Sequence, residues 1–320
     1  MSNKNVIWCD ATTLSKDING KTYIVTGANS GVGLETTRQL VKQGGHVIMA
    51  CRRVDAGEAE AKSFNGLKGS FDIMHCDLAD LQSVRDFAHA FLKKYHHLDG
   101  LMCNAGLVVT GNQPQYTKDG FEMTMAASYF GHFLLTELLL DILKKSAPSR
   151  MAIVSSVMHA GSPKNRYKVH LNDLNYENRK YNNFAAYGEA KVAVVQYAME
   201  LAERLKGTGV STASVHPGWA RSNFGGNGLL MKIMRVIMLP FRSSMTNSNE
   251  ESAQTSLHCL LSDDAPIHSG AYFSQHSVLY RDKECRKGGW PMKSPNPHAS
   301  DMDAAKKLFE ISYKLVGLNA

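Results

Sequence analysis

Residues 26–33 read T-G-A-N-S-G-V-G and lie between a β-branched run at 23–26 and an amphipathic stretch at 32–43. Glycines at positions 27, 31 and 33 allow a tight turn and let main-chain N–H groups approach a pyrophosphate, whose charge the start of a helix favours. Glycines in this strand-to-helix context are far more specific than a lone glycine triplet. The sequence therefore predicts a dinucleotide-binding loop formed by Gly27, Asn29, Ser30, Gly31, Val32 and Gly33.

The alternation of strand and helix continues beyond this loop. Apolar runs at 46–50, 71–76, 98–103, 151–155 and 210–215 are separated by amphipathic stretches. Such a pattern predicts a parallel sheet that is covered on both faces. We expect an α/β fold with a single doubly wound Rossmann-type domain, a mainly parallel sheet of about seven strands and helices on both faces. The domain is expected to span residues 1–320, with a core at about 20–275, a substrate lid at about 224–246 and a C-terminal tail at 276–320.

Composition excludes several classes of protein. The chain has 320 residues, of which 43% are hydrophobic and 20% charged, so it can bury a sizeable core and is not disordered. The formal net charge of +7 is spread along the chain without a dense basic run, and we expect no nucleic-acid partner. The six cysteines lack metal-ligand spacing and suit a reducing compartment. From this spacing we predict no metal. The first residues contain no apolar signal segment, so we also predict a cytoplasmic location.

The end of the second strand indicates which dinucleotide is bound. The acidic residue that would bind a free ribose 2′-hydroxyl is missing, and Arg52 and Arg53 stand in its place. Guanidinium groups bind phosphate through charge-assisted pairs, so we predict NADP(H) in preference to NAD. Asp77, followed by Leu78, is placed to meet the adenine amino group. Asn104, followed by Ala105 and Gly106, is placed to hold the fourth strand end against the cofactor.

Tyr187 and Lys191 are the candidate catalytic pair. They are four residues apart and share one face of a predicted helix. A nearby ammonium favours the phenolate form of a tyrosine, whose ordinary pKa near ~10 is too high for proton transfer at neutral pH. Ser156 follows the preceding strand, where its hydroxyl can hydrogen-bond a substrate oxygen. The order of glycine loop, serine and Y-x-x-x-K carries more weight than any of the three alone.

With these motifs the chain resembles the short-chain dehydrogenase/reductase family, over roughly residues 20–318. It is most similar to the branch of the retinol dehydrogenases and light-dependent protochlorophyllide reductases, through V-I-M-A-C-R-R, G-H-F-L-L-T-E-L-L-L, I-V-S-S-V-M-H and E-S-A-Q-T-S-L-H-C. The resemblance implies that Tyr187 is the general acid/base, that Lys191 lowers its pKa and holds the nicotinamide ribose, and that Ser156 orients the substrate. It also implies that the stretch at 216–218, with Pro217 and Gly218, lines the nicotinamide pocket and that Ser222 lies near the cofactor amide.

Ser128 departs from the family pattern. It stands where the family has an asparagine that shapes the long central helix and positions a water near the lysine. We expect an active enzyme with a modified proton relay, since Tyr187, Lys191 and Ser156 are intact. A non-catalytic NADP-binding sensor or scaffold is the alternative that Ser128 favours.

The substrate is expected to be a small hydrophobic carbonyl or alcohol, such as a retinoid, steroid or terpenoid. The apolar segment at 229–241 lies where the family builds its lid, and its basic residues Lys232 and Arg235 permit peripheral membrane contact. Reduction of a carbon–carbon double bond, as in protochlorophyllide reductase, uses the same tyrosine and lysine and stays open. A homo-oligomer through the helix that bears Tyr187 is usual in the wider family and is expected here.

Overall fold

The computed structural model describes residues 5–220 and 246–318. Its strands are β1 Thr22–Thr26, β2 His46–Cys51, β3 Ser70–His75, β4 Gly100–Cys103, β5 Ser149–Val154, β6 Val210–His216, β7 Tyr272–Ser274 and β8 Gly289–Met292. They form one sheet in the order β3-β2-β1-β4-β5-β6-β7-β8. All neighbouring strands are parallel except β7 and β8, which pair antiparallel. The predicted doubly wound α/β fold is confirmed.

Helices cover both faces of the sheet. They are α1 Ala11–Ser15, α2 Gly31–Lys42, α3 Val54–Ala61, α4 Leu81–Lys94, α5 Met123–Met125, α6 Gly131–Lys145, α7 Asn183–Arg204, α8 Asn249–Leu261 and α9 Met302–Leu315. A π-helical segment, Ala126–Phe130, joins α5 to α6 without a break. Residues on β1 alternate between the two sides: Ile24 packs in the core beneath α4 and α6, and Val25 packs in the core beneath α2 and α8.

The strand order reverses direction between β1 and β4. Because parallel strands share one orientation, their carboxyl ends meet at a single edge, and ligands of such sheets bind in the crevice at the reversal. Residues that follow β1, β4, β5 and β6 all lie at this edge. The fold therefore brings the glycine loop, Asn104, Ser156 and the residues after His216 to the same side of the molecule.

The C-terminal residues complete the sheet and cover one of its helices. β8 adds an antiparallel edge strand to β7, and α9 packs along α7. The sequence pattern gives no sign of β8, because two of its four residues are Gly289 and Pro291. The expected lid at 224–246 and Ser222 fall almost wholly within 221–245, outside the described residues.

One continuous helix, Met123–Lys145, is long and apolar enough to cross a membrane. However, 78% of its most apolar 18-residue stretch is buried inside the fold. Its residues Phe130, Phe133 and Leu134 are fully buried in the core beneath the sheet. Packing against the sheet therefore accounts for its apolar character.

Candidate active site

The glycine loop is shaped by close main-chain approach. Gly27 has φ +64°, in the region that favours glycine. A Cβ at Gly33 would lie 2.5 Å from both Asn104 Nδ2 and the main-chain oxygen of Gly27, so only glycine fits there. Ser30 caps α2 without a side-chain hydrogen bond to the helix. The first N–H groups of α2 therefore remain available to an anion, as in other helix-terminal phosphate sites.

Thr26 ties the end of β1 to the end of β4. Its hydroxyl accepts hydrogen bonds from the main-chain N–H groups of Asn104, at 2.8 Å, and Ala105, at 3.0 Å. Asn104 in turn donates from Nδ2 to the Thr26 carbonyl at 2.8 Å. His132 on α6 lies 2.9 Å from the same Thr26 hydroxyl through Nε2. Asn104 thus lies at the strand end, where the sequence predicts it.

The residues predicted for the adenosine end lie on either side of the loop. Arg52 and Arg53 are exposed, and neither guanidinium forms a hydrogen bond or ion pair with other described residues. Asp77 follows β3 and accepts a hydrogen bond from the Ala79 N–H at 3.0 Å. Leu78 is buried. These two exposed arginines, which have no partner among the described residues, are suited to bind the phosphate group of a ligand.

Ser156 and Tyr187 form the centre of the site. Ser156 follows β5, and its Oγ accepts the Met158 N–H at 3.2 Å. Tyr187 lies in the second turn of α7, which Asn182 caps by accepting the Ala185 N–H. The hydroxyl of Ser156 faces that of Tyr187 and lowers the pKa of Tyr187 by favouring the phenolate, but burial has the larger, opposite effect and raises this pKa to about 12.

Lys191 lies one turn beyond Tyr187 and is buried. Its Nζ is 5.5 Å from the centroid of the Tyr187 ring and donates a hydrogen bond to the carbonyl of Val154 at 2.7 Å. Ser155, between Val154 and Ser156, donates its hydroxyl to the Lys191 carbonyl at 2.9 Å. Burial lowers the pKa of Lys191 to about 7. Burial therefore disfavours the charged form of both side chains, so that the lysine loses its proton more readily than usual and the tyrosine keeps its own.

Ser128 lies in the π-helical segment and faces the same buried space. Its Oγ is buried and has no hydrogen-bond partner among the described residues. The point where a Cβ would stand on Gly106 is 3.4 Å from Ser128 Oγ and 3.6 Å from Lys191 Nζ. Single π-helical turns inside α-helices occur frequently at functional sites. An unpaired buried hydroxyl next to a buried amine marks a polar space that a water can fill.

The stretch after β6 closes the site on the other side. His216 accepts the Val157 N–H through Nδ1 at 3.2 Å and so binds the turn that follows Ser156. Gly218 packs directly against the side chain of Asn247. Ala220 and Asn247 form a parallel bridge. The two described ends of the region expected as a lid are therefore adjacent, beside Pro217 and Gly218.

Sequence reasoning missed the contacts made by the polar region at 161–183. Arg179 forms a paired salt bridge to Glu189 on α7, both hydrogen bonds being 3.0 Å long. Tyr181 donates to buried Glu122 at the start of the helix that carries Ser128, also at 3.0 Å. Hydrophobic periodicity does not report such charged and phenolic contacts, because they occupy single positions in a polar stretch.

This arrangement is suited to proton transfer at a substrate oxygen. A serine and a tyrosine hydroxyl face each other at the carboxyl edge of the sheet, and a buried amine lies one helical turn away. The glycine loop opens onto the same edge. Groups of three or more metal-binding side chains are absent from the described residues.

Known proteins are similar to this chain in sequence and in fold. The family model for short chain dehydrogenase matches residues 21–166. Retinol dehydrogenase 13 of Homo sapiens is 39% identical over 308 residues, which cover 95% of this chain and 86% of that protein. The crystal structure of an uncharacterized protein from Mycobacterium Paratuberculosis has a TM-score of 0.72 at 28% identity, covering 100% of this chain and 99% of that one. The RhlG/NADP complex of Pseudomonas aeruginosa shares the fold, with a TM-score of 0.65 at 20% identity over 85% of this chain and 99% of that one.

The identity to retinol dehydrogenase 13 extends over nearly the whole chain and well beyond the region of the family model. The aligned region covers 95% of this chain and therefore spans β5, β6 and α7. The chain belongs to the short-chain dehydrogenase/reductase family of oxidoreductases, in its retinol dehydrogenase-like branch.

Proposed function

We propose that the protein is an NADP(H)-dependent oxidoreductase that exchanges a hydride between nicotinamide and a hydrophobic carbonyl or alcohol, with Tyr187 as general acid/base. The observation that carries this proposal is the placement of the Ser156 hydroxyl beside the Tyr187 hydroxyl, with buried Lys191 one helical turn away and bound to the end of β5. A family member that had lost its chemistry would have no need of a buried lysine.

Three features of the chain fit a bound NADP(H). Ser30 does not cap the first turn of α2, whose N–H groups can therefore bind a pyrophosphate, and glycines at 27 and 33 let the loop pack closely against the end of β4. Arg52 and Arg53 are exposed cations that can bind a 2′-phosphate through charge-assisted hydrogen bonds. The same fold holds NADP in RhlG. We propose that Asp77, Leu78, Asn104, Ala105, Gly106, Pro217 and Gly218 line the rest of the cofactor site, together with Ser222.

The nicotinamide supplies or accepts the hydride, and the protein supplies orientation and a proton. Ser156 donates a hydrogen bond to the substrate oxygen and holds the Tyr187 hydroxyl beside it. Tyr187 gives its proton to that oxygen during reduction and takes it back during oxidation. Lys191 in its ammonium form stabilises the phenolate that remains.

Ser128 and Lys191 are the residues that we expect to pass the proton onward. Both face the same point beside Gly106, at 3.4 Å and 3.6 Å. A water held there would connect Lys191 Nζ to Ser128 Oγ and satisfy the unpaired hydroxyl. The hydroxyl replaces the longer asparagine of the family, so the relay is modified and retained.

Exposed apolar side chains near Tyr187 favour a hydrophobic substrate, and we take them as its entrance. Phe184 lies three residues before Tyr187 on the same face of α7 and is 59% exposed. Leu279 is also exposed, in the segment that follows His276, whose carbonyl accepts a hydrogen bond from Asn247. We propose a cytoplasmic protein whose lid, with Lys232 and Arg235, makes peripheral membrane contact while a retinoid, steroid or terpenoid enters.

Ser128 is the one observation that favours a non-catalytic NADP-binding sensor or scaffold. A single experiment separates these roles: purified protein is mixed with NADPH and, in turn, all-trans-retinal, decanal, a steroid ketone and a conjugated alkene, while NADPH absorbance is followed. We expect oxidation of NADPH with at least one aldehyde or ketone and none by the Tyr187→Phe variant. Consumption with the alkene alone would identify a double-bond reductase. NADPH binding without any turnover, together with activity gained by Ser128→Asn, would mean that the relay is broken.

A further inference from the structure

The turn that follows Ser156 is closed by a histidine. His159 donates its main-chain N–H to the Ser156 carbonyl at 3.0 Å, and its ring Nδ1 lies 2.6 Å from the same oxygen. A carbonyl oxygen only accepts hydrogen bonds, so Nδ1 carries the ring proton. The side chain is completely buried. His159 therefore fixes the Ser156 main chain through two donors at once.

The other ring nitrogen of His159 binds the C-terminal tail. Nε2 lies 2.8 Å from the hydroxyl of Ser294 and, in a neutral ring protonated on Nδ1, accepts the serine proton. Burial lowers the pKa of His159 to about 4, which keeps the ring neutral near pH 7. The imidazole thus bridges the Ser156 turn and the tail.

A second tail residue, Asn296, binds the same turn through its main-chain carbonyl groups. Asn296 is fully buried and donates from Nδ2 to the carbonyls of His159, at 2.6 Å, and Tyr167, at 2.8 Å. Asn296 and Ser294 are also bound to each other, since the Asn296 N–H donates to Ser294 Oγ at 3.1 Å. Three hydrogen bonds therefore join this short piece of tail to the segment that begins with Ser156.

We propose that His159 is a positioning residue for Ser156 and that Ser294 and Asn296 set its orientation, so that the C-terminal tail controls the rate of the chemical step. The proposal rests on the function proposed above. The Ser156 hydroxyl faces that of Tyr187 and lowers its pKa, so the position of Ser156 bears on proton transfer. Displacing a reacting group by about 1 Å lowers a rate by roughly a hundredfold.

Two substitutions of His159 separate its contacts. In His159→Asn the amide nitrogen replaces Nδ1 and can still donate to Ser156, but nothing reaches Ser294. In His159→Gln the longer side chain reaches Ser294, and the donor to Ser156 is lost. We expect kcat to fall by roughly tenfold to a hundredfold in His159→Gln and only a few-fold in His159→Asn, with the KM for NADPH within about twofold of the wild type in both.

Asp282→Asn is the matched control for a loosened tail. Asp282 forms a salt bridge with Arg166, so it ties the same tail to the same loop without contacting Ser156. We expect this variant to lower the melting temperature and to leave kcat unchanged. Hydrogen–deuterium exchange at the amides of residues 157–161 should rise in His159→Gln and stay at the wild-type level in His159→Asn.

Activity is measured with NADPH and the most active aldehyde or ketone of the panel. A folded His159→Gln protein with wild-type kcat overturns the inference, as does an equal loss of kcat in Asp282→Asn. If His159→Gln does not fold, Ser294→Ala is used instead, because it removes a single hydroxyl. A few-fold loss of kcat in Ser294→Ala supports the proposal, and an unchanged kcat overturns it. Loss of the wider function is recognised separately, by full activity in Tyr187→Phe.

Discussion

Lys191 donates its hydrogen bond to the carbonyl of Val154, 2.7 Å away, at the last residue of β5. The lysine is fully buried, and its pKa falls from 10.5 to about 7. Its charge is therefore costly for the folded protein and is retained for function. We expect Lys191→Met to abolish turnover and, at pH 7, to raise the free energy of unfolding by up to roughly 3–5 kcal/mol.

The gain in unfolding free energy of Lys191→Met should depend on pH, in a direction set by the lowered pKa of Lys191. Between pH 7 and 10.5 the unfolded chain binds the proton and the folded chain does not, so stability rises with pH in this window. Below pH 7 both states are protonated and the penalty is complete, whereas above 10.5 it disappears. The difference in urea unfolding between Lys191→Met and the wild type should therefore shrink from pH 7 to 10. A constant difference would show that the charge is not penalised.

Arg52 and Arg53 should determine the preference between the two dinucleotides. Either Arg→Ala substitution removes a charge-assisted bond to the 2′-phosphate, and we expect the Kd for NADPH to rise by roughly tenfold to a hundredfold. The Kd for NADH, which lacks that phosphate, should stay constant. Lys93→Ala, which removes an equally exposed charge on α4, is the control. Equal weakening of both cofactors in Arg52→Ala and Arg53→Ala would contradict the assignment.

The fold could be predicted from the sequence because its signals are local. Apolar runs mark the first six strands, and glycines between β1 and α2 have no other ready explanation. β8 has no such signal: it reads G-W-P-M and exists because β7 offers an unpaired edge. Periodicity predicts which face of an element is buried, but not which distant strand it joins.

Part of the candidate site could be predicted from the sequence, because its residues form a spacing that a purely structural role does not require. Tyr187, Lys191 and Ser156 could be named from spacing, and Ser128 from its departure from the family pattern. His159 could not, because a histidine in an apolar turn is most often a satisfied core residue. Its partners Ser294 and Asn296 lie 135 and 137 residues further along the chain. Only the folded tail brings them together.

Ser128→Ala tests the modified relay. The Ser128 hydroxyl has no partner within the part of the chain that the structure describes, so its removal should leave the melting temperature equal or higher. We expect kcat to fall by about tenfold, since the water beside Lys191 loses a ligand. Ser252→Ala removes a similarly buried, unpaired hydroxyl from α8 and should leave kcat unchanged. Wild-type kcat in Ser128→Ala would remove the residue from the relay.

Phe184 should contribute to substrate affinity. It is 59% exposed at the start of α7, so Phe184→Ala should change the free energy of unfolding by less than about 0.5 kcal/mol. Contact with an apolar substrate would be lost, and we expect KM for long aldehydes to rise roughly tenfold with kcat retained. Ile267→Ala is the control, because Ile267 is 76% exposed at the opposite edge of the sheet, before β7. A KM that is unchanged in both variants would place the entrance elsewhere.

α9 packs along α7, the helix through which a homo-oligomer is expected from the sequence. Leu308 is fully buried, Phe309 packs 5.2 Å from the Phe133 ring, and the Tyr129 and Ser312 hydroxyls are 2.9 Å apart. Residues of α7 from Ala186 to Ala198 are all buried within one chain. We propose that any homo-oligomer uses a different surface.

Hydrogen–deuterium exchange along α7 tests this arrangement. Because α9 protects the helix within one chain, we expect its amide exchange to be independent of protein concentration. Phe309→Asp should lower the free energy of unfolding by at least about 3 kcal/mol, since it combines a large lost side chain with a buried charge. Lys306→Asp introduces the same charge at an exposed position of α9 and should have little effect. Exchange in α7 that slows as the wild-type protein is concentrated would mean that a second copy covers the helix, and α9 would then have to be displaced.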